Sequence, residues 1–504
     1  MNKLILITII IIASFLRLYN IADLPPGLYP DEAMNGNNAL EALSPDGQFK
    51  WFYPENNGRE GLFMNIQALS IALFGNFPWA LRLPSAIFGI LTVLGLYLCV
   101  KELINYASTK IDEKIKNNIA ILSSFFLATS FWHINFSRIG FRAIMAPFFI
   151  VFALYFLFRS FNRNHSLGSG ISAGLFFGLG FHSYIAFRGL PILILIVFII
   201  DWFKNKEWQI RKKILLVASG YTLMAIIVFA PLGYHFIKNP QDFMGRTSEV
   251  SIFSSKTAVK DLALNIAKTA GMFNFSGDYN WRHNYAGKPE LFWPVGILFL
   301  TGVILGIIKF FIDSDDKKLF GILFAWISVA ALPVVISNEG IPHALRAIIM
   351  IPPVFILAGI GGVWLYEFIK SRILNRETDA KPRAKLTRKI FLLSAFCFLL
   401  SLLIFEAYTA YFILWGKNSN VQGAFSADYV KIGRELNSLP KEMPKYVIVE
   451  AGGTNVRGLP MPTQTVMFIT DTFTLKKQKE KNIFYVLLEQ KNQIPENSYT
   501  VILK

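Results

Sequence analysis

The sequence predicts an all-α polytopic membrane protein of about 11–13 transmembrane helices plus juxtamembrane helices, followed by a small C-terminal α/β extracytoplasmic domain. Three observations carry that expectation: a composition too apolar for a water-soluble chain, a series of long apolar runs, and a bias in where the basic residues fall between them.

Of the 504 residues, 53% are hydrophobic, 15% aromatic and only 16% charged, and the mean hydropathy is +0.44. Soluble domains carry about 25% charged residues, so the lipid bilayer is the main solvent here. The net charge of +17 raises the question of a nucleic-acid partner. Its distribution answers it: the lysines and arginines cluster in short stretches between apolar runs, which is the signature of membrane orientation and points to no nucleic acid. Both cysteines, Cys99 and Cys397, lie inside apolar runs, which speaks against a disulfide framework or a Cys-based metal site. The first twenty residues carry Lys3 and then an apolar stretch with no small-residue cleavage motif before Asp23, and read as a retained first helix.

Apolar runs suited to a bilayer core, which takes roughly 20 helical residues, lie near 3–20, 83–100, 118–136, 143–160, 168–186, 189–203, 214–236, 291–312, 319–337, 344–369 and 390–415. Segment 61–75 is apolar but short, carries Asn65 and Gln67, and reads as a helix lying at the interface. With that segment left on the surface, the Lys- and Arg-rich loops 101–117, 159–165, 204–213, 309–318 and 370–389 all fall on the cytoplasmic side. Were it to cross, Lys204, Lys206 and the eight basic residues between Lys370 and Lys389 would lie outside, against the positive-inside bias. Eleven spans plus one surface helix is the consistent reading.

This topology turns loops 21–60, 136–142, 182–188, 237–290 and 337–346 outward, and these hold most of the unusual ionisable residues. Such groups beside apolar spans are costly unless they line a cavity or pair with one another, so the five loops are expected to share one polar site. The first offers Asp31 and Glu32 directly after a Pro-rich turn; Asp31 suits a general base, although either carboxylate could instead cap the helix expected over 33–43. The second carries Arg138 and Arg142, four apart and able to share a helical face, with the planar fork that reads phosphate or, alternatively, snorkelling at a helix end. His182, Tyr184 and Arg188 repeat the theme. Asp278, Arg282, His283 and Asn284 form a dense polar string suited to a hydroxylated, charged head group, or simply a well-ordered loop. His343 and Arg346, three apart at an expected helix start, would attract phosphate. The sequence has no His-Glu-x-x-His, Walker or dinucleotide glycine pattern, so ATP-driven transport has no support within the chain.

The order of these motifs resembles the GT-C superfamily of polyprenyl-phosphate-sugar glycosyltransferases, in particular the bacterial relatives of protein O-mannosyltransferases (PMT type) and of the lipid A aminoarabinose transferase. The resemblance covers about the first 415 residues and rests on Leu28-Tyr29-Pro30-Asp31-Glu32-Ala33, Arg59-Glu60-Gly61-Leu62-Phe63 with Trp79 to Ser85, Phe136-Ser137-Arg138-Ile139-Gly140-Phe141-Arg142, and Gly277 to Asn284 with Ile341-Pro342-His343-Ala344-Leu345-Arg346. No single motif is unique; their order is fairly specific. It implies a GT-C domain over 1–415 with catalytic outward loops 21–60, 237–290 and 337–346, and an inverting glycosyltransferase that moves a sugar from an undecaprenyl- or dolichyl-phosphate donor to a protein or glycolipid acceptor. In that reading Asp31, with Glu32, is catalytic; His343, Arg346, Arg138, Arg142 and Arg59 hold the donor phosphate; and Glu60, His182, Tyr184, Arg188, Asp278, Arg282, His283 and Asn284 contact sugar or acceptor. Some relatives place Lys-Pro or His-Pro-Pro at the start of the interfacial helix, where this chain departs with Gly58-Arg59-Glu60-Gly61. No cofactor is required, because the phosphate ester is already a leaving group. A divalent metal bridging Asp31, Glu32 and the donor is the lesser alternative, since two carboxylates lack a third ligand.

Beyond about residue 415 the pattern changes. Residues 425–439 read as an amphipathic helix and 446–450, 465–470, 482–488 and 499–503 as short strands, giving a small soluble α/β domain over 416–504 that is large enough for its own core. Two other functions fit the outward cavity: a transporter or flippase for a lipid-linked sugar, against which stands the absence of an inverted repeat in the sequence, and an oligosaccharide ligase or polymerase.

Overall fold

The computed structural model describes residues 2–108, 111–243, 252, 257–312, 316–338, 340–374 and 382–504. Parts of the expected loops 101–117, 237–290, 309–318, 337–346 and 370–389, including Glu339, lie outside the described residues.

Among the described residues, eight helices are long and apolar enough to cross a bilayer: Pro78–Ala107, Arg142–Asn162, Ile185–Lys204, Trp208–Lys238, Trp293–Ile312, Lys317–Val335, Ile348–Arg372 and Leu393–Trp415. Three further expected spans are shorter helices, Asn2–Leu18, Glu113–Thr129 and Leu167–Gly180. Asn2–Leu18 and Glu113–Thr129 reach about 25 Å at 1.5 Å per residue, and Leu167–Gly180 about 21 Å. The segment expected at the interface is the 13-residue helix Leu62–Phe74, about 20 Å long by the same rise.

Burial sorts the spans. The apolar window of Ile348–Arg372 is 89% buried and that of Arg142–Asn162 is 78% buried, against 22% for Trp208–Lys238 and for Leu393–Trp415, so the first two form the axis and the others present their side chains to lipid. Close approach at the axis depends on glycine. A Cβ on Gly302 would sit 2.0 Å from the Leu357 carbonyl oxygen, and one on Gly361 2.0 Å from that of Leu298; only hydrogen at both positions lets helix Trp293–Ile312 pack backbone to backbone on Ile348–Arg372.

The end of the bundle that carries the expected site loops begins with helix Pro30–Ala42, three residues earlier than its sequence pattern indicates because Pro30 occupies the first turn, where its missing N–H costs nothing. A two-residue antiparallel hairpin pairs Phe52 with Glu60 and Tyr53 with Arg59. Its turn, Asn56-Asn57-Gly58, has positive φ at all three residues (54°, 62° and 78°), which Asn and Gly tolerate best.

The C-terminal unit is α/β, as expected: a parallel sheet in the order Ile483–Leu487, Lys445–Val449, Tyr499–Leu503, with Val447 opposite both Tyr485 and Val501. Helix Ala427–Ser438 takes the amphipathic segment. One expected strand is a correction: 465–470 belongs to helix Thr463–Thr470. Nearly all of its residues are buried, Phe468 and Val466 completely, because it is wedged between the sheet and helix Pro30–Ala42, and packing on all sides overrides the β-branched composition that signals a strand.

Candidate functional site

The expected site residues fall into two groups, bridged by an aromatic contact. The first surrounds Asp31. The alternative of helix capping does not hold for it, since the N-cap is Tyr29 and no side chain caps the helix; Asp31 is part-buried in the first turn and accepts a hydrogen bond from the Asn56 amide. Beside it Arg59, fully buried, donates to Asn35 Oδ1 at 2.5 Å, Asn38 Oδ1 at 2.6 Å and the Glu55 carbonyl at 3.2 Å. Burial, and then the neighbouring Arg142 charge, push the Arg59 guanidinium down to about 10, with Glu55 and Asp31 opposing. Glu60 sits between two cations, 2.9 Å from Arg142 and 3.1 Å from Arg188. Arg142 in turn lies over the Tyr184 ring, and Arg188 over Phe236 and Phe243.

The second group surrounds Asp278. Its Oδ2 is 3.0 Å from His283 Nδ1, 3.8 Å from His343 Nδ1 and accepts the Ala344 N–H at 2.9 Å, while Oδ1 accepts the Asn280 N–H at 2.8 Å. Burial alone would push this carboxyl up; the hydrogen bond and charge of His283, the charge of His343 and the backbone N–H together hold it below the usual range. Asn284 ties the loop together by donating to the Lys288 carbonyl at 2.6 Å, and Glu290 receives the Asp278 N–H at 3.0 Å. Burial drives Glu290 well above the ordinary carboxyl range. Arg346 donates to the Ser337 hydroxyl.

Tyr29 joins the two groups: Arg282 lies 4.1 Å over its ring, and the ring packs edge-on against Phe141. Asn135 donates to the Arg282 carbonyl at 2.8 Å. Tyr29, Pro30, Asn280, Trp281 and Arg282, together with Tyr429 of the C-terminal unit, line an open cleft that reaches the chain as far as Pro30, the residue before Asp31.

Three expected site residues have partners within the framework instead. Glu32 is completely buried, clasped by Arg82 at 2.7 Å and 3.1 Å and by the Gly140 N–H at 2.8 Å. Arg138 is completely buried, donates to the carbonyls of Leu16 and Leu24 and stacks on Phe412 and Tyr411. His182 donates from Nε2 to the Val228 carbonyl and packs on Trp51. The expected helix start at His343 and Arg346 is also displaced: 343–347 is a run of turns, and helix begins only at Ile348. Conversely, Asn56, Tyr29 and Arg82 hold the site without having been assigned a role from sequence. Tyr29 and Arg82 lie inside the motif stretches that carry the resemblance, and Asn56 carries the signal of its Asn-Asn-Gly turn.

An all-helical bundle with paired ionisable loops gathered at one end and a small α/β unit resting on them defines a multi-pass membrane protein of GT-C architecture. The ArnT structure from Cupriavidus metallidurans bound to undecaprenyl phosphate matches 99% of this chain and 89% of its own at TM-score 0.54 and 14% identity. The archaeal oligosaccharyltransferase AglB from Archaeoglobus fulgidus, in complex with an inhibitory peptide and a dolichol-phosphate, matches 96% and 64% at TM-score 0.55 and 13% identity. At these identities the likeness is one of fold. The family described as dolichyl-phosphate-mannose-protein mannosyltransferase matches residues 62–235. Bacillus subtilis (strain 168) YkcB, a mannosyltransferase by name, is 22% identical over 232 residues, 44% of this chain and 29% of YkcB; the match thus spans less than a third of that relative. Over residues 62–235 the chain is thus similar to the protein-mannosyltransferase family, and its fold is similar to those of ArnT and AglB.

Proposed function

We propose that the protein is an inverting glycosyltransferase that takes a sugar from a polyprenyl-phosphate donor and places it on a protein or glycolipid acceptor at the outer face of the membrane. The observation that carries the reading is the contrast between Asp31 and everything around it: a part-buried carboxylate oriented by Asn56, beside the buried Arg59 and the Arg142–Glu60–Arg188 chain, and next in the chain to Pro30, which lines an open cleft. The family match and the lipid phosphates in the similar structures support the donor class.

In this mechanism Asp31 accepts the proton of an acceptor hydroxyl as its oxygen attacks the anomeric carbon from the side opposite the phosphate. The new glycosidic bond forms as the sugar–phosphate bond breaks, with inversion, and the electron pair leaves on the carrier phosphate. Arg59, Arg142 and Arg346, with His343, supply the positive field that stabilises that charge, ordinarily the largest catalytic contribution. The cleft between Tyr29, Arg282 and the C-terminal unit receives the acceptor. The isoprenoid tail lies against the apolar sides of the spans.

Glycosyl transfer from a synthetic polyprenyl-phosphate sugar, in purified membranes containing wild type or Asp31→Asn, tests the reading. Loss of product in the variant is expected, and equal turnover sinks the mechanism. Movement of labelled donor into sealed vesicles without product would favour a flippase. Cysteine labelling at positions 31 and 346 with a membrane-impermeant reagent checks the outward orientation; reaction from opposite compartments would remove it.

A further inference from the structure

The Asp278 group, of which the transfer reading uses only His343, has a second property. Asp278 and His283 come from one loop, and His343 is brought from another 60 residues further on. Each offers one ligand atom, and these atoms lie within 4.8 Å of one another. Both imidazoles approach the same carboxylate oxygen with the same nitrogen, at 3.0 Å and 3.8 Å. Metal–ligand bonds of about 2.1 Å at tetrahedral angles separate neighbouring ligand atoms by about 3.4 Å, between those two distances.

The Arg346 N–H lies 3.4 Å from His343 Nδ1. The set is also oriented from behind: the Asn280 and Ala344 N–H groups fix the two Asp278 oxygens, Glu290 fixes the Asp278 backbone, and the two imidazole rings lie with centroids 4.9 Å apart. Outer contacts of this kind orient ligands in built metal sites. Asp278 and His283 are buried while His343 is partly exposed, which provides an entry path.

We propose that Asp278, His283 and His343 form a divalent transition-metal site of the two-histidine, one-carboxylate type, with Zn2+ as its first occupant and a fourth position open to water or an anionic oxygen. Nitrogen-rich sets select zinc-like ions over Mg2+ and Ca2+. The site couples two outward loops through one ion, so its occupancy stiffens the region, and it does so whether or not the protein transfers sugar.

The full chain, purified in detergent with any affinity tag removed and stripped with chelator, is dialysed against Zn2+ and analysed by elemental mass spectrometry. About one zinc per chain is expected, with loss of that zinc in both His283→Ala and His343→Ala and retention in His235→Ala, whose imidazole pairs instead with Asp242. Absence of stoichiometric zinc from the wild type, or its retention in either ligand variant, overturns the proposal. If a ligand variant does not fold, Co2+ loaded into the wild type decides: intense four- or five-coordinate visible bands sustain the site, and a weak six-coordinate aquo-type spectrum overturns it.

Discussion

Asp31 and Glu32 are neighbours in one helical turn, and their surroundings are opposite. Glu32 points into the protein, where Arg82, itself donating to the Pro25 and Gly27 carbonyls, meets both of its oxygens and ties the first loop to helix Pro78–Ala107. Asp31 is only part-buried, with the Asn56 amide on one oxygen, and follows Pro30, which lines an open cleft. A carboxylate whose lone pairs are all used by fixed donors is a strut, while one that keeps acceptor capacity beside mobile water is available for chemistry. The difference teaches that acidic residues in sequence at a membrane surface are sorted by the fold and not by their type.

The sharpest break of the comparison is at Asp31. Asp31→Asn keeps the Asn56 contact in outline but removes the base, so transfer is expected to fall by about 10²–10⁴-fold with the unfolding temperature unchanged. A steady-state assay beside a thermal unfolding curve reads both. Glu32→Gln is expected to do the reverse first: it leaves the buried Arg82 charge without its counter-ion, at a cost of about 3–5 kcal/mol, seen as a lowered unfolding temperature in detergent. Replacing the pair together, Glu32→Gln with Arg82→Met, is expected to recover part of that stability. Equal thermal stability of Glu32→Gln and wild type would overturn the strut reading.

Sequence reasoning reached much of this. Apolar runs located the eleven helices, because bilayer length and backbone satisfaction leave few alternatives. Asp31 stands out in the sequence because a carboxylate beside a Pro-rich turn at a span end is unusual, and its catalytic role is a proposal. Glu32, Arg138 and His182 were not separable from it, since their burial depends on Arg82, on Phe412 and Tyr411, and on Val228, each distant in the chain. The grouping of Asp278 with His343 was hidden for the same reason. Helix Thr463–Thr470 was read as a strand because Thr, Val and Ile favour pleated surfaces, and only its contact with helix Pro30–Ala42 explains the outcome.

That contact extends the comparison to the C-terminal unit, which is fastened to the very helix that carries Asp31. Phe468 packs where a side chain on Gly36 would clash, at 2.4 Å, and Asn37 donates to the Gln464 carbonyl and side chain at 3.0 Å and 2.9 Å. Phe468→Ala opens a cavity in this seam and is expected to cost about 3 kcal/mol, measurable as a lowered unfolding temperature together with faster hydrogen exchange across 30–42. Unchanged exchange there would mean that the unit rests on the helix without bracing it.

The outer edge of the same seam is electrostatic and weaker. Arg457 reaches Glu41 at 2.8 Å and 2.9 Å and Glu55 at 2.6 Å. Burial works to raise the Glu55 carboxyl, but the Arg457 hydrogen bond and charge, with Arg59 adding to them, leave it below its ordinary value. A carboxyl depressed in the folded protein stabilises it above the unfolded pKa of about 4.3 and loses that contribution as pH falls through the folded value. Docking of the unit is therefore expected to be insensitive to pH near neutrality and to loosen below about pH 4, followed by limited proteolysis between residues 416 and 426. Because Arg457 is 40% exposed, water screens the pair, and Arg457→Ala is expected to cost only about 1 kcal/mol and to flatten the acid dependence. If the variant keeps the full acid sensitivity of the wild type, the seam is held by its apolar part alone and Glu55 has no share in presenting Asp31.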